Sequence, residues 1–392
     1  MTTQTVPDQR VPVPWLVLLA TPAALSANAT TTVIPALAHD LGVSAGVATW
    51  TATAFGWAAL AGTPVTAGLL RDRGPRFVLL LNGVLVLAGT LLVLVAPGLP
   101  VLLAGRAVQA LGGGGLVVLG YGLAGTAQRT GAIAASFGLV GAFGPLSGAV
   151  LAGASWRAAL CLSLLALLAV PMVLRRMPAR PDVARRNPGD PFGLVLVLAL
   201  VSALVLIPRF PLVTFAALGA VVLLALHVRR RPDGFVPLTV LRANVFRTAA
   251  VAACMLSTSY FVLLYTVPRL LEREWSPGRI GVATLLALAA GSAASLVIAR
   301  YTARFAPTAM RLALAVTGGV AVVLPLVTPW PVSWAAALAF SVFASGTAMG
   351  WYASRAISAV PVADRAVALG LFTLCYQLGG AAGPAVATLM IG

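Results

Sequence analysis

Lysine is absent from this sequence, because all 26 basic residues are arginine. A phosphate-binding P-loop requires its lysine, so an ATPase of that type is excluded. Cysteine is scarce, and the three cysteines, Cys161, Cys254 and Cys375, lie far apart within apolar runs. That spacing argues against a disulfide framework or a metal site. We therefore expect neither a metal nor a cofactor.

Acidic residues are also few, with nine of them against 26 basic residues. Buried carboxylates, whose pKa desolvation raises, are common proton carriers inside membranes. All nine acidic residues fall in loops or at the ends of apolar runs: Asp8, Asp40, Asp72, Asp182, Asp190, Asp233, Glu272, Glu274 and Asp364. The sequence therefore offers no acid in the middle of an apolar run that could carry a proton.

Apolar residues are what the chain has in abundance. Hydrophobic residues make up 60% of it, and the mean hydropathy is +0.99. Runs of about 20 apolar residues, enough to cross a hydrocarbon core, recur from end to end. Such long runs form helices in lipid, because a helix satisfies its own backbone hydrogen bonds. We predict an all-α polytopic membrane protein embedded in a lipid bilayer.

The net charge of +17 would indicate a nucleic-acid partner in a soluble chain. In a membrane protein cationic loops set the orientation instead, so we expect no nucleic acid. With the N-terminus inside, most arginines fall on the cytoplasmic side of thirteen predicted spans. The exceptions are Arg157, Arg209, Arg269, Arg273 and Arg279, and Arg106 within a span. The spans are 14–36, 46–70, 77–96, 99–126, 131–153, 156–174, 191–208, 211–228, 248–271, 279–299, 310–328, 331–354 and 366–390.

The chain divides into five segments. Residues 1–174 form a predicted N-terminal bundle of six helices, and the Pro- and Arg-rich residues 175–190 form a cytoplasmic linker. A two-helix insert at 191–228 has plain apolar faces that suit lipid. A cytoplasmic loop follows at 229–247, and a C-terminal bundle of five helices occupies 248–392.

The two bundles repeat one feature. The first contains "GAFGPLSGAV" (141–150) and the second contains "GGAAGPAVAT" (379–388), each with Gly-Pro in mid-membrane. Proline kinks a helix, and small residues let neighbouring helices approach closely. Repeated halves are the usual build of secondary transporters, whose substrate site lies between the halves. We predict two pseudo-symmetric helix bundles.

Three short motifs lie in or between the predicted spans of the front bundle. The stretch "GLLRDRGPR" (68–76) is a short charged turn, "GRAVQALG" (105–112) carries an arginine within a span, and "GPLSGA" (144–149) contains the first Gly-Pro. They resemble the loop 2–3, fourth-helix and antiporter fifth-helix signatures of the major facilitator superfamily. The insert, with "WTATAF" (50–55) and "FVPLTVLRANVFR" (235–247), is similar to the family's fourteen-span drug:proton antiporter branch. The resemblance implies the major facilitator fold.

The resemblance also implies roles for residues. The loop 2–3 signature, with Gly68, Asp72, Arg73 and Arg76, would be a conformational latch that engages the back half near Arg365. The alternative is that these charges only orient the loop. The antiporter-like residues of the fifth helix are Gly144, Pro145 and Gly148. A substrate cavity would be lined by Asn28, Thr31, Arg106, Gln109, Tyr121, Tyr260, Tyr265, Tyr376 and Gln377. For Arg106 the alternative is a side chain that snorkels to the outer interface.

Two departures from the family pattern are expected. Only five spans follow the insert, which leaves the C-terminus outside; either a natural short variant or a truncation accounts for this. Where the family usually carries an aspartate in helix 1, this sequence has Ser26. We therefore expect facilitated diffusion, or coupling to something other than a mid-membrane proton site.

The expected function is export of a hydrophobic or amphiphilic small molecule, such as a drug or natural product, by a monomer in the cell (inner) membrane. One alternative is a transport-inactive sensor or scaffold derived from such a transporter. A lipid-acting membrane enzyme is disfavoured, because His39 and His227 are the only histidines and no Gly-x-Ser-x-Gly motif is present.

Overall fold

The computed structural model describes residues 11–177, 190–207, 210–271 and 273–391, and these residues form helices without strands. The all-α prediction is confirmed. The helices are α1 (Val13–Ala20), α2 (Pro22–Asp40), α3 (Ala45–Ala48), α4 (Trp50–Arg73), α5 (Pro75–Val95), α6 (Leu99–Ala124), α7 (Ala127–Ala142), α8 (Gly144–Ala152), α9 (Trp156–Leu160), α10 (Val170–Arg176), α11 (Pro191–Leu206), α12 (Val213–Arg230), α13 (Leu238–Arg242), α14 (Asn244–Leu271), α15 (Pro277–Ala299), α16 (Pro307–Val327), α17 (Pro331–Ser358) and α18 (Arg365–Ile391). Short 3-10 helices are Leu162–Ala169, Thr302–Arg304 and Val362–Asp364.

Within the described residues, 10 helical stretches are long and apolar enough to cross a membrane. Three of the predicted spans fall outside this set. The span at 156–174 is broken into α9, a 3-10 helix and α10; the span at 191–208 is the shorter helix α11; and the last is α18. The count of thirteen stays a prediction. Most of the 175–190 linker, and the side chains of the second Gly-Pro, lie outside the described residues.

Proline marks where several of these helices begin. The fixed φ of proline suits the first helical turn, where an N–H has no partner within the helix. Pro145 occupies such a position in α8 and divides the predicted fifth span into α7 and α8. Pro75 starts α5 directly after Gly74, whose φ of 81° turns the chain sharply between α4 and α5. Glycine suits this turn because side chains disfavour positive φ.

One end of the bundle is basic. The turn between α4 and α5 carries Arg71, Arg73 and Arg76, and the ends of α12, α15 and α17 bring further arginines to the same side. We call this the basic end. The helices alternate in direction along the chain, so the α2–α3 turn lies at the opposite end.

The helices of the front segment meet those of the back segment along two seams. In one seam α4 packs against α18, and in the other α7 packs against both α15 and α17. Towards the basic end the second seam is very close: a Cβ added at Gly350 would lie 2.5 Å from the Gly131 Cα. A Cβ at Gly131 would lie 2.9 Å from the Cβ of Ala299. Small residues thus allow near backbone contact between the halves at the basic end.

Candidate functional site

A fully buried arginine lies within the front bundle. Arg106 of α6 is 0% exposed. One terminal nitrogen donates to Ser26 Oγ (2.9 Å), Gln109 Oε1 (2.7 Å) and the Leu160 carbonyl (3.3 Å). The other donates to Thr30 Oγ1 (2.8 Å) and the Ser26 carbonyl (3.4 Å). The planar guanidinium thereby joins α2, α6 and the end of α9, because its donors form a fork of fixed geometry.

The carbonyl of Leu160 is available because the helix changes type at this point. The 3-10 segment that follows bonds Leu164 N–H to the Cys161 carbonyl at 2.9 Å instead of to Leu160. The freed Leu160 oxygen accepts from Ser26 Oγ at 3.0 Å and from Gln109 Nε2 at 3.1 Å, as well as from the arginine. A break in one transmembrane helix therefore provides the acceptor that holds a charged side chain on another.

The charge of Arg106 is met here only by neutral groups. Its hydrogen-bond partners are hydroxyl, amide and carbonyl oxygens, and its guanidinium carbon lies 4.1 Å from the centre of the Phe55 ring. Among the described residues its Nε has no hydrogen-bond partner. Ser26 occupies the position where the family resemblance led us to expect an aspartate. Because an uncompensated buried charge is costly, this arrangement marks Arg106 as a functional candidate.

The structure bears on both interpretations of Arg106. A snorkelling side chain would reach the membrane interface, whereas this guanidinium is enclosed among α2, α4, α6 and α9. It is also closed off from any open cavity in this conformation, as is Gln109, whose Nε2 donates to Thr90 Oγ1 at 2.9 Å. Exposure of either residue to a substrate would need another conformation and stays a prediction.

Aromatic and polar side chains from both halves meet between the bundles. The Tyr376 hydroxyl of α18 lies 2.8 Å from Ser345 Oγ of α17. Tyr121 of α6 and Tyr376 belong to one hydrophobic cluster, and Tyr260 lies on α14, the helix that packs along α18. Tyr265, one turn further along α14, is 45% exposed. We call the region of these four predicted cavity residues the tyrosine site.

A hydrogen bond crosses between the halves beside this site. Thr63 of α4 donates to Gln377 Oε1 of α18 at 2.9 Å. Gln377 was predicted from the sequence as a cavity residue, whereas Thr63 and Ser345 were not. Serine and threonine in membrane helices commonly bond back to their own helix, as Thr63 also does to the Ala59 carbonyl at 3.2 Å. The two partners are 314 residues apart, so only the repeated-halves argument could have suggested this pair.

The remaining two predicted cavity residues lie on the exposed face of α2. Asn28 Nδ2 donates to the Gly141 carbonyl at 2.9 Å, and Thr31 Oγ1 bonds back to the Asn28 carbonyl at 2.8 Å. The antiporter-like glycines pack on this same helix. A Cβ at Gly144 would lie 2.5 Å from the Asn28 Cβ, and one at Gly148 would collide with Ala29 and Thr32. These glycines therefore allow α8 to touch the backbone of α2, while Pro145 is exposed at the start of α8.

The charged turn at the basic end makes contacts that the latch hypothesis did not specify. Asp72 pairs with the adjacent Arg71 at 3.1 Å, and Arg71 also reaches the Gly234 carbonyl at 3.5 Å. Gly68 packs beneath the Phe235 ring, where a Cβ would lie 2.9 Å from a ring carbon. Among the described residues, the ion-pair partner of Asp72 in this conformation is Arg71 and not the Arg365 region.

The other latch residues are distributed around the turn. Arg76 donates to the Met177 carbonyl at 3.3 Å, and Arg73 lies over the Phe77 ring at 5.1 Å. Arg365 is exposed at the start of α18, where the preceding Asp364 accepts from Thr239 Oγ1 at 2.8 Å. The loop between α12 and α14 therefore contacts the signature turn on one side and the start of α18 on the other.

This loop is held by a carboxylate that sequence reasoning overlooked. Asp190 caps α11 by accepting from Gly193 N–H at 2.9 Å, and it accepts from Phe235 N–H at 2.9 Å. His227 Nε2 of α12 lies 2.7 Å from the same carboxyl. Burial alone raises the pKa of the Asp190 carboxyl, but these hydrogen bonds outweigh it, so the pKa lies below its ordinary value.

Comparison with known proteins identifies the family. The model of the Major Facilitator Superfamily matches residues 16–384. The chain is 25% identical over 292 residues to MFS transporter L2 of Phoma sp., covering 68% of this chain and 49% of that protein. It is 32% identical over 148 residues to the MFS-type efflux pump MMF1 of Pseudozyma antarctica, covering 36% and 27%. The chain thus spans about half, or less, of the length of these relatives.

Two solved structures share the fold. The human organic anion transporter MFSD10 (TETRAN) aligns with a TM-score of 0.70 at 17% identity, covering 97% of this chain and 93% of that one. The POT family transporter PepTSo aligns with a TM-score of 0.56 at 17% identity, covering 98% and 90%. With the apolar helices and the family model, these likenesses confirm a multi-pass membrane protein of the major facilitator fold. The chain belongs to the Major Facilitator Superfamily, a family of transporters and not of enzymes.

Proposed function

We propose that the protein exports hydrophobic or amphiphilic small molecules by alternating access, with the tyrosine site as part of the substrate path. The observation that carries this proposal is that Tyr121 from the front half and Tyr376 from the back half share one hydrophobic cluster, with Tyr260 on the helix that packs along α18. Phenols offer an apolar ring and one hydrogen bond, which suits amphiphilic ligands. A site built from both halves changes shape when the halves move against each other.

Charge narrows the proposed substrate class. Arg106 is a fully buried charged residue of the front bundle, and its neutral partners leave its charge uncompensated. If the other conformation exposes it, like charge in a low-dielectric cavity repels cations. We therefore propose neutral or anionic amphiphiles as substrates. The similarity to an efflux pump and to an organic anion transporter is compatible with this class.

Orientation and assembly complete the proposal. The basic end faces the cytoplasm by the positive-inside rule, which puts the N-terminus inside and the end of α18 outside. The protein acts in the cell (inner) membrane as a monomer. In this orientation the latch residue Asp72 and its ion-pair partner Arg71 are on the cytoplasmic side, where the α12–α14 loop contacts the signature turn. We propose drugs or natural products as the exported molecules, with a role in multidrug resistance or antibiotic export.

The test is accumulation of fluorescent amphiphiles in cells with and without the protein. We expect lower steady-state accumulation of neutral and anionic dyes in expressing cells, and little change for cationic dyes. Tyr376→Phe removes the hydroxyl that contacts Ser345 and should weaken export. Tyr301→Phe is the matched control, because Tyr301 is exposed at the basic end, stacked on Arg304.

The outcomes separate the candidates. Equal accumulation of all dyes with and without the protein would favour the transport-inactive sensor or scaffold. Export that is lost equally in Tyr376→Phe and Tyr301→Phe would remove the tyrosine site from the substrate path. Efficient export of cationic dyes would contradict the proposed charge preference.

A further inference from the structure

A groove of about 580 Å³ lies between α1–α2 and α7, and no residue of the tyrosine site lines it. One wall is formed by α1 and α2 and the other by α7, while Leu296 and Arg300 of the back half close one end. Leu165, which is 40% exposed, lies along the groove. The groove is therefore shared by both halves, and its main walls are helical stretches long and apolar enough to cross a membrane.

The length of the groove matches one leaflet of a membrane. Its walls run from Val13 to Leu25 on α1 and α2 and from Gln128 to Val140 on α7. At about 1.5 Å per residue, each wall is about 18 Å long. Half of a hydrocarbon core of about 30 Å is about 15 Å. A groove of this length accommodates an acyl chain of a lipid in the leaflet at the basic end.

Polarity is arranged along the groove as in a lipid. Apolar and small side chains line most of the walls, with Thr21 and Ser136 as minor polar contributions. Arg300 and Gln128 lie together at the basic end of the groove, where a headgroup would be, and no acidic residue lines it. Among the described residues Arg300 makes no side-chain ion pair, and it is exposed. Basic positions between membrane helices on one side favour anionic headgroups.

We infer that this groove is a binding site for an anionic phospholipid, with one acyl chain between α1–α2 and α7 and the headgroup phosphate at Arg300. The inference is independent of the transported substrate. The groove is bounded at the basic end by the close contact of Gly131 with Ala299, next to Arg300. A lipid that bridges the two halves here favours the conformation in which they touch at this end.

The experiment is native mass spectrometry of the purified full chain. The protein is mixed with equal amounts of phosphatidylglycerol and phosphatidylcholine that carry the same acyl chains, and retained lipid is measured. We expect preferential retention of phosphatidylglycerol. Arg300→Ala should reduce this preference about fivefold, since one arginine near the membrane surface contributes on that order. Arg242→Ala is the matched control, because Arg242 is exposed at the basic end outside the groove.

A second pair of variants tests the acyl-chain part. Ala132→Phe fills the groove and should abolish lipid retention, whereas Ala216→Phe adds the same ring on the exposed face of α12 and should not. Ser136→Leu is a smaller change in the same wall, and we expect it to reduce lipid retention at least twofold. It replaces Ala132→Phe as the test if that variant does not fold.

Three results would overturn the inference. Equal retention of the two lipids by the wild type removes the headgroup preference. If Arg300→Ala and Arg242→Ala lose the preference for phosphatidylglycerol equally, the preference comes from the whole basic end and not from the groove. Unchanged retention in Ser136→Leu and Ala132→Phe shows that lipid binds elsewhere. None of these readouts depends on transport, so they are separate from the test of export.

Discussion

Replacing Arg106 with lysine keeps the charge and removes the fork, which isolates what the guanidinium contributes. In the structure the two terminal nitrogens make five contacts, to Ser26 Oγ and carbonyl, Thr30 Oγ1, Gln109 Oε1 and the Leu160 carbonyl. A lysine ammonium has a single nitrogen, which can replace only one of the two terminal nitrogens. At least the two acceptors of the other nitrogen, the Ser26 carbonyl and Thr30 Oγ1, then lose their donor.

The magnitude follows from this count. Polar contacts between membrane helices contribute about 0.6 kcal/mol on average, and hydrogen bonds to charged groups about 1.5 kcal/mol or more. Two lost contacts then cost about 1 to 3 kcal/mol. We expect Arg106→Lys to lower the free energy of unfolding by that amount, although net charge and hydropathy hardly change.

The assay is an SDS unfolding titration of purified protein in mixed micelles, followed by tryptophan fluorescence. Arg242→Lys is the matched control, because Arg242 is exposed and a surface substitution stays within about 0.5 kcal/mol. If Arg106→Lys unfolds within that same margin of the wild type, the forked hydrogen bonding is not what holds α2, α6 and α9 together. The positive charge, which lysine retains, would then be what matters for stability at this position.

Three further expectations concern charge. The Asp72→Asn variant should insert normally but export much less substrate than the wild type. Asp233→Asn, in the adjacent exposed loop, is the control and should export normally. Wild-type efflux by Asp72→Asn at equal expression would refute the latch. In reconstituted vesicles a pH gradient should not drive substrate above equilibrium, and uphill transport would contradict this and direct attention to Asp40. Asp190→Asn should cost about 1 to 3 kcal/mol, since three donors lose their charged acceptor. Because the pKa of Asp190 is lowered on folding, its contribution is full above the unfolded pKa of about 3.9 and is lost as pH falls through the lower folded pKa. The difference in unfolding free energy between wild type and Asp190→Asn, measured at pH 7 and again below pH ~4, should therefore shrink in acid; a constant difference would contradict the assignment.

Composition, the length of the apolar runs and a few short motifs were enough to predict the fold class and the family. Long apolar runs leave a helix as the only structure that satisfies the backbone in lipid, so the all-α class could be read directly. The short signature around Asp72 and the Gly-Pro at Gly144 and Pro145 led to the family, and the break between α7 and α8 falls where proline was expected to disturb the helix. These features are local, because they depend on residues a few positions apart.

Tertiary structure alone decided what the buried polar groups contact. The sequence marked Arg106 as costly, but apart from Gln109 its acceptors lie 54 to 80 residues away, and one is available only because the helix changes type after Leu160. Thr63 and Gln377 meet across 314 residues, and Asp190 reaches a loop 45 residues later. Hydropathy cannot report such partners, because it records how much a side chain prefers lipid and not which neighbour satisfies it. The pairing of these groups follows from how the helices pack, and packing depends on small residues such as Gly131 and Gly350 that carry little signal in the sequence.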